Sequence, residues 1–192
     1  MRKWDNFAED LNSDYNIDMS SLTGAYDREN QIYFLAQAYY KNLEQHQLLT
    51  EDNSHVHNLD LSTVTVDDVK ELRSAFRLKA AHQGIATALA CWFTATFNGC
   101  ASHPTDPEAT FVLDTGPLAG KTHWGQQVFY LDRSVPMKVG DALDVTALLA
   151  RHFANERMVT VTVGVEHKPV KPVVGKGDAP NFKAEPKMFF VQ

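Results

Sequence analysis

Apolar residues recur at helical spacing over residues 25–47, where Ile32, Leu35, Tyr39 and Leu43 fall at steps of three and four. Tyr33, Phe34, Ala38 and Tyr40 widen that stripe beyond what one core-facing side needs. Asp27 and Glu29 supply the cap and acidic charge that favour a helix start. The pattern predicts one helix and leaves two readings open: a helix packed on its own core, or an arm whose second apolar face meets another subunit. After Leu48 the period changes to two. Leu59 and Leu61, then Val64 and Val66, alternate with polar residues, and Asp67-Asp68 punctuates a turn or short helix carrying Val69 and Leu72. Residues 85–97 form the clearest strand, apolar on both faces and therefore expected in the middle of a sheet. Residues 98–121 read as a long loop, marked by Pro104, Pro107, Gly116, Pro117 and Gly120. Strands follow near 124–131, 142–149 and 158–165, with turns at Val139-Gly140-Asp141 and Asn155-Glu156-Arg157. Residues 167–187 are rich in Pro, Gly and Lys and read as irregular, and 188–191 read as a closing edge strand. Many short strands without strand–helix–strand alternation predict an antiparallel β-barrel or sandwich, mainly β, with a helical segment over 21–48, in a single domain over 1–192.

Composition narrows the function classes. At 192 residues and 44% hydrophobic residues the chain can bury a core. No apolar run approaches the roughly 20 residues of a membrane helix, and Met1-Arg2-Lys3-Trp4-Asp5 lacks the apolar centre of a signal peptide. Two cysteines, Cys91 and Cys100, are too few for a disulfide scaffold, so both are expected as free thiols in a reducing, cytoplasmic or nuclear setting. The net charge of −6 argues against general nucleic-acid binding. It is unevenly spread: residues 1–72 carry −9 and the remainder +3, which suggests two structural parts.

Candidate chemistry is sparse. No glycine-rich phosphate loop follows a strand. His55-Val56-His57 places two imidazoles near one another without a third ligand, so no metal site is expected. Phe111-Val112-Leu113-Asp114-Thr115-Gly116 has the form of an aspartic-protease turn, but Pro117 stands where that family has Ser or Ala, and the simpler expectation is a turn whose Asp and Thr bond their own backbone. Thr122-His123-Trp124 closes the long loop. It sets an imidazole between a hydroxyl and an indole at a loop-to-strand junction, which reads on its chemistry alone as a structural loop histidine or as one placed to polarise or position a substrate group near neutral pH.

The run Thr122-His123-Trp124-Gly125-Gln126-Gln127-Val128-Phe129-Tyr130-Leu131 resembles the Thr-His-Trp loop and following strand of protein arginine methyltransferases. The likeness continues in order: Trp4-Asp5-Asn6 and Ile17-Asp18-Met19-Ser20, Leu59-Asp60-Leu61-Ser62-Thr63-Val64, Trp92-Phe93-Thr94-Ala95-Thr96-Phe97, Asp114-Thr115-Gly116-Pro117, and Lys138-Val139-Gly140-Asp141. The resemblance implies a C-terminal barrel with a dimerisation arm, in a parent that transfers methyl from S-adenosylmethionine to protein arginine nitrogens. It implies that the cofactor and its paired glutamates belong to a separate domain, with no cofactor or metal bound by these residues. His123 matches the family's active-site histidine beside the target arginine, and Thr122 and Trp124 its neighbours on the substrate groove. Ile32, Tyr33, Phe34, Leu35, Tyr39, Tyr40 and Leu43 match the arm that docks on a second subunit, giving a homodimer or heterodimer acting on arginine-containing proteins. Gly125 departs from the family's usual Lys or Tyr, which keeps open an alternative: a non-catalytic, prozyme-like subunit lending its arm to an active partner.

Overall fold

The computed structural model describes residues 2–50, 56–100, 102–155, 157–170 and 183–191. Two helices come first, α1 (Arg2–Tyr15) and α2 (Ser20–Ala36). The strands follow: β1 (Tyr39–Lys41), β2 (Glu71–Lys79), β3 (Gly84–Cys91), β4 (Thr94–Phe97), β5 (Gly99–Cys100), β6 (His103–Pro104), β7 (Phe111–Asp114), β8 (Gln126–Met137), β9 (Ala142–Arg151), β10 (Val159–Lys168) and β11 (Lys183–Val191). Every strand pairing is antiparallel. A four-stranded sheet runs β11-β10-β9-β2 and a three-stranded sheet β1-β8-β3, with two small ribbons, β4-β7 and β5-β6. The fold is mainly β, as the alternating sequence predicts, but among the described residues the ladders do not close into a ring.

The core lies between the two larger sheets. Val161, Val163 and Val165 of β10 and Val145 of β9 face Phe129, Val135 and Met137 of β8, and the rings of Phe129 and Phe189 meet edge to face at 5.2 Å. Long strands with one buried face explain why 124–131, 142–149 and 158–165 were legible; each runs on past the predicted end, because hydrogen-bond pairing continues after the apolar alternation fades. The closing strand likewise begins at Lys183, inside the stretch read as irregular, and the rest of 167–187 lies mostly outside the described residues.

Several expectations are corrected. The helix starts at Ser20 rather than near Asp27 and ends at Ala36, with Gln37 extended at φ −143°, ψ 159°. Residues 39–41 leave it for β1, where Tyr39 pairs with Val128 and Lys41 with Gln126. The ladder on β8 outbids the helical spacing, as aromatic pairs readily do. Tyr39, Tyr40 and Leu43 are therefore not helical. The segment around Leu59 to Val66 is a chain of turns, in which Asp60 accepts from the N–H and hydroxyl of Ser62 and Asp68 from those of Thr65. The strand goes instead to 71–79, where Leu72, Phe76 and Leu78 turn inward. The predicted strand over 85–97 breaks at Trp92-Phe93, because the Phe93 backbone is taken by Thr115, and β3 stands at a sheet edge rather than its centre. The long loop holds β7, which pairs β4 from Phe97↔Phe111 to Thr94↔Asp114.

The two helices are pinned together at Trp4. Its indole N–H donates to Thr23 Oγ1 at 3.1 Å and its ring stacks on Tyr26 at 4.4 Å. The C-terminal end of α2 is rooted on the sheets by Phe34 and Tyr39, both in edge contact with Tyr130 of β8 at 5.6 and 5.8 Å.

Candidate functional site

The Thr-His-Trp turn sits at the entrance to β8. Its shape comes from a hydrogen bond from Gly125 N–H to the Thr122 carbonyl at 3.2 Å, with Gly125 at φ +48°. A Cβ at that position would lie 2.6 Å from the Lys41 carbonyl oxygen and 2.7 Å from the Tyr40 ring. Glycine is therefore required twice, by conformation and by space. The space over residue 125 is filled by Tyr40.

Within the turn, His123 and Trp124 are both exposed and lie ring against ring, with centroids 3.8 Å apart. Trp124 also meets the edge of Phe93 at 5.8 Å. The indole thus stands between the imidazole and the body, leaving His123 on the outer side. Thr122 points inward, and its Oγ1 is buried without a hydrogen-bond partner among the described residues.

Beneath the turn lies the Asp114-Thr115-Gly116 corner. Thr115 is 0% exposed; its hydroxyl donates to the Phe93 carbonyl at 2.8 Å. Asp114 Oδ1 accepts from Gly116 N–H at 2.8 Å and from the Thr94 hydroxyl at 3.3 Å. Gly116 admits the Trp92 indole, whose Nε1 would stand 2.6 Å from an added Cβ. The Asp-Thr-Gly corner is thus a structural turn under the Thr-His-Trp turn.

A residue that sequence reasoning passed over joins these parts. The Gln126 side chain is buried, donating from Nε2 to the Thr115 carbonyl and accepting at Oε1 from Leu43 N–H, both at 2.8 Å. Nothing in a one-dimensional pattern marks it; a glutamine beginning an apolar strand is the faint signal.

The arm residues divide into two sets. Phe34 and Tyr39 pack on Tyr130, the Tyr39 hydroxyl donates to the Tyr33 carbonyl at 3.1 Å, and Tyr40 covers Gly125. Burial pushes the Tyr39 hydroxyl above its ordinary value, opposed by its bond from Gln37 and aided by Tyr33 and Tyr130. Leu35 and Leu43 are half-buried. Ile32, by contrast, is 71% exposed, and Tyr33 and Leu22 are also open.

The described residues contain no cluster of three or more His, Cys, Asp or Glu suited to a metal, and no helix long and apolar enough to cross a membrane. His55, one of the paired histidines, lies outside the described residues, and both cysteines are free. Every strand pair is antiparallel and both helices precede the sheets. The described residues therefore offer no strand–glycine-turn–helix of the kind that cradles a nucleotide.

The fold is thus an antiparallel β body with two N-terminal helices rooted on it and a Thr-His-Trp turn at the entrance to β8. Residues 1–168 match the family described as the arginine methyltransferase oligomerization subdomain, and the chain belongs to it. Protein arginine N-methyltransferase PRMT10 of Oryza sativa subsp. japonica is 35% identical over 162 residues, covering 83% of this chain and 42% of that protein. The Arabidopsis thaliana PRMT10 is 29% identical over 171 residues, 88% of this chain and 44% of that protein. The chain thus spans less than half the length of these relatives. Its fold matches the crystal structure of Arabidopsis thaliana protein arginine methyltransferase 10, with a TM-score of 0.73 at 24% identity over 100% of this chain and 52% of that one. It also matches the Trypanosoma brucei PRMT1 enzyme-prozyme heterotetrameric complex with AdoHcy, with a TM-score of 0.68 at 21% identity over 93% of this chain and 48% of that one.

Proposed function

We propose that this chain is the substrate-side body and dimerisation arm of a protein arginine methyltransferase whose cofactor domain is a separate unit. The single observation that carries the reading is the Thr-His-Trp turn, with an exposed imidazole backed by an indole and held at a fixed corner by a +48° glycine. An imidazole in that position donates or accepts a hydrogen bond without needing a charge change. It reaches outward, toward an acidic group of a neighbouring domain, and helps hold a guanidinium in line with a methyl donor. Trp124 supplies a flat apolar wall for the methylene stem of an arginine. Positioning of this kind is the body's contribution to the reaction.

In the active enzyme, His123→Ala lowers turnover about 10- to 100-fold, about 1.4–2.7 kcal/mol of barrier, with a smaller change in peptide affinity. Steady-state methylation of an arginine peptide checks it; unchanged turnover removes His123 from the site. One observation favours the alternative of a regulatory, prozyme-like subunit: Tyr40 occupies the space over residue 125 where the family carries a Lys or Tyr side chain. On that reading methylation needs an added catalytic partner, and His123→Ala in this chain leaves the partner's turnover intact.

A further inference from the structure

The root of the arm and the Thr-His-Trp turn are physically joined. Gln126 is 2% exposed and directly follows the turn. Leu43, just past β1, offers an N–H and Thr115 offers a carbonyl, so the amide has one orientation that satisfies both, each at 2.8 Å. One carboxamide therefore holds the exit of the arm, the Asp-Thr-Gly corner and the start of β8 together. The second fastening is Tyr40. Its ring lies against Gly125, while Asn42 Nδ2 donates to its hydroxyl at 3.0 Å. The glycine at positive φ between Trp124 and Gln126 sets the shape of the turn, and the Tyr40 ring lies against it.

We propose that Gln126 and Tyr40 are positioning residues: they make the arm root and the Thr-His-Trp turn one rigid piece, so that the seating of the arm sets where His123 and Trp124 stand. The proposal rests on the reading of that turn as a substrate-side wall. It adds that the arm reaches the site through named contacts within its own chain, besides any surface it buries on a partner. A buried amide satisfied at both ends is costly to disturb, because either broken bond leaves a backbone group unpaired. The arm root therefore cannot shift without moving the turn.

The test has two readouts. In the full chain, nuclear magnetic resonance of the Trp124 indole N–H and the His123 ring protons reports the turn directly. Tyr40→Ala removes a half-exposed ring and spares the core. Gln126→Met keeps the side-chain length and loses both hydrogen bonds. Both variants should shift or broaden the Trp124 and His123 signals while the amides of Val145 and Val161 stay put, and Tyr40→Phe should restore the native signals. In the active enzyme, Tyr40→Ala should lower kcat about 10-fold or more, the scale of a misplaced positioning group, with KM for S-adenosylmethionine within about 2-fold and the dimer retained. Unmoved Trp124 and His123 signals in a folded Tyr40→Ala chain overturn the proposal; that variant decides alone if Gln126→Met does not fold. If the signals move but His123→Ala leaves turnover unchanged, the mechanical link stands and the substrate-wall reading falls.

Discussion

In the body, apolar side chains disappear from water at every second residue: Val161, Val163 and Val165 are buried, and Val135 of the facing sheet is 1% exposed. In the two helices and their link, residues of the same kind stay open: Ile32 and Tyr15 are each 71% exposed, with Leu22, Phe7 and Ile17 also open. The core between the two sheets is covered within one chain, although the body also keeps open apolar residues, Phe153 at 94%, Phe111 at 61% and Phe97 at 57%. The helical region carries more than its own chain covers, as expected of a surface whose cover comes from another subunit. Between them lies the root, where Phe34, Tyr39 and Tyr40 belong to the body despite their place in the arm's sequence.

The largest effect separates the two regions by stability. Phe129 packs against Phe189 at the centre of the body, and Phe129→Ala should cost about 3–5 kcal/mol. Ile32→Ala in the same chain should change stability by less than about 0.5 kcal/mol. Urea unfolding of the two variants checks the contrast. Equal losses would show that the arm is as integral to the fold as the core.

Assembly comes next. The resemblance assigns Phe34, Tyr39 and Tyr40, with Ile32, Tyr33, Leu35 and Leu43, to the contact with a second subunit, and in the structure these first three also touch Tyr130 and Gly125 of their own chain. Leu22→Ser with Ile32→Ser should therefore weaken the dimer of the assembled enzyme while leaving the melting temperature of the chain nearly unchanged. Phe34→Ala with Tyr39→Ala should instead free the arm from the body and lower the melting temperature. Light scattering and thermal melts on both pairs decide. A tight dimer in the Leu22 and Ile32 variant would move the interface elsewhere.

Much of this division was legible in the sequence, and the losses have physical causes. The strands β8, β9 and β10 announce themselves because one face is buried along most of their length, which forces alternation. The helix end was missed because Tyr39-Tyr40 keeps helical spacing while its backbone pairs with β8, a partner 89 positions away at Tyr39↔Val128. The alternation around Leu59 to Val66 misled for the opposite reason. There the side chains of Asp60 and Asp68 compete successfully for the backbone and fold it into turns. The Thr-His-Trp turn was found through its local motif. The joining contacts of Gln126 and Tyr40 were not, because what they touch lies on other segments, and no local pattern encodes those contacts.

The smallest effect tests how the far end of the body is held. Asp141 closes the turn between β8 and β9: its carboxylate accepts from Lys138 N–H at 2.9 Å, from Val170 N–H at 2.9 Å and from His167 Nε2 at 3.2 Å. Burial alone would raise its pKa, but the backbone bonds from Lys138 and Val170, with His167, outweigh burial and hold it below its ordinary 3.8. A carboxyl whose value is lowered on folding stabilises the native state above its unfolded value, and that contribution is lost as pH falls through the folded one. The body should therefore lose stability below about pH 4, where the unfolded chain takes up the Asp141 proton first. Asp141→Asn should cost about 1–3 kcal/mol at neutral pH, the scale of hydrogen bonds to a charged acceptor, and should flatten the acid limb of a urea-midpoint profile. The arm should be indifferent to the same substitution, since the Asp141 side chain bonds Lys138, His167 and Val170 and its backbone carbonyl accepts from Ala80 N–H, all far from α1 and α2 in the chain. An acid limb as steep in the variant as in the native chain would assign the pH dependence to other carboxylates.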